Sequence, residues 1–178
     1  MTHTPAPHTT HVEASPWVQR WSHLIAPGSQ VLDVACGQGR HTHWLASRGC
    51  HVTALDRDAT ATQGLHRVAE VVLADIEQGP WPLPGRRFDA VVVTHYLWRP
   101  LWPQILASLA PGGVLIYETF MLGNERFGKP SNPAFLLRPG ELRETFKDLT
   151  LKGFEEGEVE DPKPAMIQRL CATRTGQG

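Results

Sequence analysis

Apolar positions along the chain gather in short runs, and the segments between them carry apolar side chains at helical spacing instead. Runs apolar on both faces, at 31–35, 51–55, 71–74, 88–94 and 114–117, read as buried strands of a parallel sheet. The stretches at 40–48, 59–69 and 101–109 read as covering helices, the second weakened by Gly64. Ahead of the first strand, Ser15-Pro16 supplies a helix cap and a proline at the first helical position. Trp17, Val18, Trp21, Leu24 and Ile25 then keep a helical period until Pro27-Gly28 stops it. Beyond Pro111-Gly112-Gly113, a tight turn into the fifth strand, a helix is expected over 140–146. Strands at 152–158 and 166–173 can pair as a hairpin across Asp161-Pro162-Lys163-Pro164. The expected class is α/β: a doubly wound, mostly parallel, Rossmann-like seven-stranded sheet with helices on both faces and an antiparallel C-terminal hairpin.

Residues 1–12 are rich in Thr, Pro and His without an apolar period, which predicts a flexible tail, with 13–178 as a single domain. The net charge of -1 offers no field for nucleic acid or an anionic membrane, so neither is an expected partner. Cys36, Cys50 and Cys171 are scattered, with no C-x-x-C pair, which points to buried thiols in a reducing compartment. No run approaches the roughly 20 apolar residues of a membrane span, and no secretory leader stands at the start. A cytoplasmic protein, monomer or homodimer, is expected.

Four features fall at the carboxyl ends of successive expected strands, where ligands bind in such sheets. In the segment from Asp33 to Arg40, Gly37 and Gly39 let the backbone turn sharply against a ligand, and the next helix opens with unpaired N–H groups. Asp56 ends the second strand, followed by Arg57; an acid about 20 positions past a glycine turn is where a ribose diol is held. Asp75 ends the third strand and can accept from an exocyclic amine, while Ile76 offers an apolar face to a purine. Thr94-His95-Tyr96 leaves the fourth strand over the same edge. A dinucleotide fingerprint would need a third glycine where Thr42 stands, and Asp33 fits poorly around a pyrophosphate.

With these residues in place, the chain resembles the class I S-adenosylmethionine-dependent methyltransferases. Their first motif is an apolar strand running into D-x-x-x-G-x-G, here Asp33 to Gly39; their turn into strand five matches Leu109 to Leu115. The narrower likeness is to small methyltransferases associated with tellurite resistance, carried by Phe135-Leu136-Leu137-Arg138-Pro139-Gly140-Glu141-Leu142. The resemblance implies S-adenosylmethionine as cofactor and in-line methyl transfer to a small-molecule or oxyanion acceptor. It places Asp33 near the methionine portion, Asp56 at the ribose and Asp75 at the adenine, with Ala35, Gly37, Gly39, Arg57 and Ile76 as further cofactor-binding residues. Thr94 joins this set, and Trp17 and Trp21 on a closing N-terminal helix complete it.

His95 is the candidate general base, since an imidazole near pKa 6.5 suits that task, with packing against the ligand as the competing role. Tyr96 and Glu118 are further candidates. For Asp33 the structural alternative is tying down the glycine turn, and for Asp56 capping of the next turn. No metal is expected: His41 and His43 are two apart and face different sides of a helix, and His3, His8 and His11 lie in the tail. The long loop over 119–138 should shape the acceptor site, with Phe120, Met121, Phe127 and Phe135 beside Arg126, Lys129 and Arg138. Those cations either hold an anionic acceptor or form a solvated rim. Two other function classes stay open, an NAD(P)-linked oxidoreductase and a non-catalytic module that keeps the fold.

Overall fold

The computed structural model describes residues 12–176, so all but the last residue of the expected tail lies outside the described part. Ser15 caps helix α1 (Pro16–Trp21), its hydroxyl accepting from the Trp17 amide, and a 3₁₀ turn over Ser22–Leu24 completes the expected helical stretch. There follow β1 (Gln30–Val34), α2 (Arg40–Ser47), β2 (His51–Asp56), β3 (Ala69–Leu73), β4 (Phe88–Thr94), α3 (Trp102–Ala107) and β5 (Leu109–Phe120). Helix α4 (Glu141–Thr145) and the pair β6 (Thr150–Val159) and β7 (Ala165–Thr173) complete the order. The seven strands form one sheet in the order β3-β2-β1-β4-β5-β7-β6. β7 is antiparallel to both neighbours, and all other pairs are parallel.

Strand alternation divides the core between the two faces of the sheet. Val31, Val52, Ala90, Val92, Val114 and Ile116 pack with Trp17, Val18 and Leu45, so α1 and α2 cover that side. Leu32, Leu55, Val91, Val93, Leu115 and Tyr117 pack with Leu101, Ile105, Leu142 and Phe146 on the other. The order reverses between β1 and β4, and at such a switch point the strand ends leave a crevice.

Two expected elements differ. The helix over 59–69 is reduced to turns and a 3₁₀ segment, Gln63–Leu65, and Ala69 already belongs to β3. The Asp58 carboxylate accepts from the Thr60 and Ala61 amides, and the Thr62 hydroxyl bonds back to the Asp58 carbonyl. These local bonds replace helical ones in a segment of weak helix formers. The turn at Pro111-Gly112-Gly113 is a bulge inside one strand: Phe88 opposes Leu109 while Ala90 opposes Val114.

Candidate active site

The ends of β1, β2 and β3 bound one cavity of about 240 Å³, which brings together Ala35, Asp56, Arg57, Asp75 and Ile76. Ala74, Glu77 and Tyr96 complete its lining; the sequence pattern set Tyr96 on this edge and among the candidate bases, and did not single out the other two. Ala35 and His95, each following its strand, both adopt left-handed backbone, φ 53° and 51°. Such strain in residues with a Cβ persists only where surrounding contacts impose it.

The acids are held from behind by backbone amides. Asp56 Oδ2 accepts from Gly37 N at 2.8 Å and its Oδ1 from Asp58 N at 2.9 Å, so Asp56, rather than Asp33, pins the glycine turn. Two lone-pair positions are left for a pair of hydroxyls. Asp75 Oδ1 accepts from Gln78 N and Glu77 N, both at 3.0 Å, and these bonds hold its carboxyl below the usual range. Gly39 has φ 81°, and a Cβ there would collide with Leu65.

Asp33 is 1% exposed and accepts from the Thr42 hydroxyl at 2.8 Å, which is the role Thr42 fills in place of a third glycine. Its Oδ1 has no partner among the described residues, and burial raises its pKa to about 7 against the pull of Thr42 and Arg40. A buried carboxylate oxygen without a donor is a place for a cationic or N–H-bearing group. The donor set therefore fits the nucleoside-bearing cofactor the motifs imply.

His41 is buried in α2. Its Nε2 accepts from Ser15 N at 3.0 Å, so the ring proton sits on Nδ1 and donates to Thr94 Oγ1 at 3.1 Å. Burial lowers its pKa to about 3. The Ser15 hydroxyl donates to Glu118 Oε1 at 2.7 Å, and Glu118 Oε2 meets Arg169 at 3.2 Å. With both oxygens engaged, Glu118 is a strut and not the proton acceptor considered above. Burial and the neighbouring Glu77 carboxylate raise the Tyr96 pKa, which removes it as a base near neutral pH.

Trp17 and Trp21 are not brought to the cavity. Trp17 is 2% exposed, donates its indole N–H to the Leu170 carbonyl and packs in the core on the α1 side. Trp21 lies against Gly153, where a Cβ would collide with the ring. Their helical spacing marks a core face, and α1 is fixed through Ser15.

His95 lies at the junction of two further cavities. One, of about 290 Å³, includes Tyr96, Phe120 and Phe135; the other, of about 80 Å³, includes Arg40, Lys163 and Arg169. The His95 ring is tilted against Phe120 at 4.7 Å, and burial, followed by Arg40, lowers its pKa, so it is neutral around pH 7. Of the loop residues, Phe120 and Phe135 reach the larger cavity, Met121 is buried in the core, and Phe127 stacks beneath Arg126. Arg126 pairs with Glu158 at 3.7 Å, while Arg138, exposed at the surface, meets Glu141 at 3.5 Å and shares it with Arg99. Arg99, absent from the sequence reading, holds the loop: it pairs with Glu141 at 2.7 and 2.9 Å and donates to the Ala134 and Leu136 carbonyls. Among the described residues, no group of three or more His, Cys, Asp or Glu could hold a metal ion.

Residues 31–113 match the family model of a methyltransferase domain. A trans-aconitate 2-methyltransferase of Paracidovorax citrulli is 38% identical over 105 residues, covering 53% of this chain and 40% of that protein. The chain spans about half the length of the curated relatives it matches. TehB from Haemophilus influenzae superposes with a TM-score of 0.72 at 22% identity, covering 89% of this chain and 61% of that one. At the level of fold it stands beside the narrower resemblance drawn from Phe135 to Leu142. A Burkholderia thailandensis 1,6-didemethyltoxoflavin-N1-methyltransferase with bound S-adenosylhomocysteine superposes with a TM-score of 0.65 at 19% identity, covering 90% and 77%. The α/β fold expected from the sequence is thus the one these enzymes share.

Proposed function

We propose that this chain, whose residues 31–113 match the family model of a methyltransferase domain, is an S-adenosylmethionine-dependent methyltransferase acting on a small-molecule acceptor. The observation that carries this reading is the convergence of Ala35, Asp56 and Asp75, from three adjacent strand ends, on one cavity. Asp56 would receive the ribose hydroxyls, Asp75 the adenine amine, and Ile76 and Tyr96 would flank the base. Asp33, Gly37 and Gly39 would shape the methionine side, with Thr94 fixed above them by His41. When bound, the cofactor supplies an activated methyl group on a sulfonium.

The residues of this chain then align the acceptor and keep water out. His95, neutral and at the mouth of the cavity lined by Phe120 and Phe135, is placed to take a proton from an acceptor that arrives protonated. Residues 13–178 act as one domain in this reading, in the cytoplasm, as monomer or homodimer and without nucleic acid. Support comes from the three free cysteines, the near-neutral charge and the absence, among described helices, of one long and apolar enough to cross a membrane. An NAD(P)-linked reaction is disfavoured by Thr42, whose hydroxyl is committed to Asp33.

Titration calorimetry tests the assignment. S-adenosylmethionine should bind with a Kd in the micromolar range, about -8 kcal/mol, and NADH should not bind. Asp56→Ala should weaken cofactor binding at least tenfold; unchanged affinity would remove Asp56 from the ribose.

A further inference from the structure

We infer that the acceptor carries a carboxylate or phosphate group, and that Arg40 and Lys163 hold it in the small cleft beside His95. This deepens the methyltransferase reading and rests on it. The cleft joins the start of α2 to the turn between β6 and β7: Arg40 is the first residue of that helix, and Lys163 stands in the hairpin turn. Among the described residues, neither side chain has a carboxylate within 4.0 Å, and the Arg40 guanidinium makes one hydrogen bond, at 3.4 Å to the Glu13 carbonyl. Arg169 in the same cleft is offset by Glu118 and Glu155. Glu155 lies outside the cleft and is shared with Arg20, so the lining itself, Arg40, Lys163 and Arg169 against Glu118 and Asp161, carries one excess positive charge. Both free cations act on His95 from different elements, each lowering its pKa against Glu118.

Volume and connectivity decide what this excess charge serves. At about 80 Å³ the cleft has room for one carboxylate or phosphate. It shares His95 and Phe120 with the 290 Å³ cavity, and no lining residue with the cavity bounded by Asp56 and Asp75. An anionic group seated here therefore belongs to a molecule whose body lies between Phe120 and Phe135, with His95 beside the atom that is methylated.

The test is a titration of inorganic phosphate, and separately of succinate, into the full chain with and without saturating S-adenosylhomocysteine. In wild type the affinity for each anion should be the same with and without S-adenosylhomocysteine, and the tighter-bound of the two, succinate or phosphate, identifies the acceptor's anionic group. Arg40→Gln and Lys163→Gln should each weaken anion binding about tenfold, and the charge reversal Lys163→Glu should abolish it, with thermal midpoints unchanged. S-adenosylhomocysteine affinity should stay within twofold in all three variants. Anion binding that survives Arg40→Gln plus Lys163→Gln, or its absence from wild type, overturns the proposal. So does competition between phosphate and S-adenosylhomocysteine with a loss of its affinity in Arg40→Gln, which would give Arg40 to the cofactor's own carboxylate. Failure of S-adenosylhomocysteine to bind wild type would instead defeat the methyltransferase reading, and the phosphate titration alone would then decide the anion site.

Discussion

The Ser15 amide donates to Nε2 of His41 at 3.0 Å, so one buried, neutral imidazole ties the start of α1 to the end of β4 through Thr94. A second proton on that ring would destroy the acceptor that the Ser15 amide needs.

The unfolded chain takes up the His41 proton near pH 6.5, the folded chain only near 3. The unfolded state therefore binds more protons between those values, and stability falls as pH drops through them, by roughly 1.4 kcal/mol per pH unit. Asp33 works the other way: its folded pKa of about 7 against 3.8 means that stability falls as pH rises between those values. The two slopes oppose each other from about pH 4 to 6.5. In His41→Gln the Asp33 slope should stand alone, so the stability difference between wild type and variant should grow with pH over that window. Denaturation with urea at half-unit steps of pH measures it; a difference independent of pH would show that His41 is not held neutral.

Glu141 is 4% exposed in its side chain and meets Arg99 through two short bonds. Burial alone would raise its pKa, but the Arg99 and Arg138 contacts outweigh this and hold it below the usual range. Removing the guanidinium leaves the buried Glu141 carboxylate with only Arg138 to offset its charge, at 3.5 Å, and two loop carbonyls without their donor. Arg99→Ala should cost about 3 kcal/mol by chemical denaturation. It should also make the loop over 133–138 cleavable by protease under native conditions. A loss below about 0.5 kcal/mol would place the pair among ordinary surface ion pairs.

His95→Ala should lower kcat about a hundredfold on the true acceptor, the usual contribution of a positioned base, while S-adenosylmethionine affinity stays within twofold. Because the folded pKa lies below 6.5, wild-type turnover should hold level from neutral pH upward and fall only in acid. Unchanged kcat in the variant would leave His95 as a packing residue against Phe120.

Strands β1, β2, β4 and β5 were legible because burial on both faces leaves an apolar run; β3, at the sheet edge, kept an apolar run while only half-buried. Asp56 and Asp75 were legible because each ends such a run. What the pattern could not reveal was the partner of each polar side chain. The pattern left Arg126 and Arg138 as either acceptor cations or a solvated rim, and only the fold sets them beside Glu158 and Glu141; Arg40 and Lys163, separated by most of the chain, gave no sign of converging. His41 carried one signal, lying four residues before Leu45 on the buried side of α2. Trp17 and Trp21 misled because a core stripe and a ligand-facing stripe share the same helical period.

Tyr96 lines both the cavity bounded by Asp56 and Asp75 and the one holding Phe120 and Phe135, with its hydroxyl 3.4 Å from Glu77. A partition shared by two chambers cannot shift to widen one without crowding the other. Selection for a bulkier guest on either side is thereby tied to the fit of its neighbour, and the pair must be remodelled together.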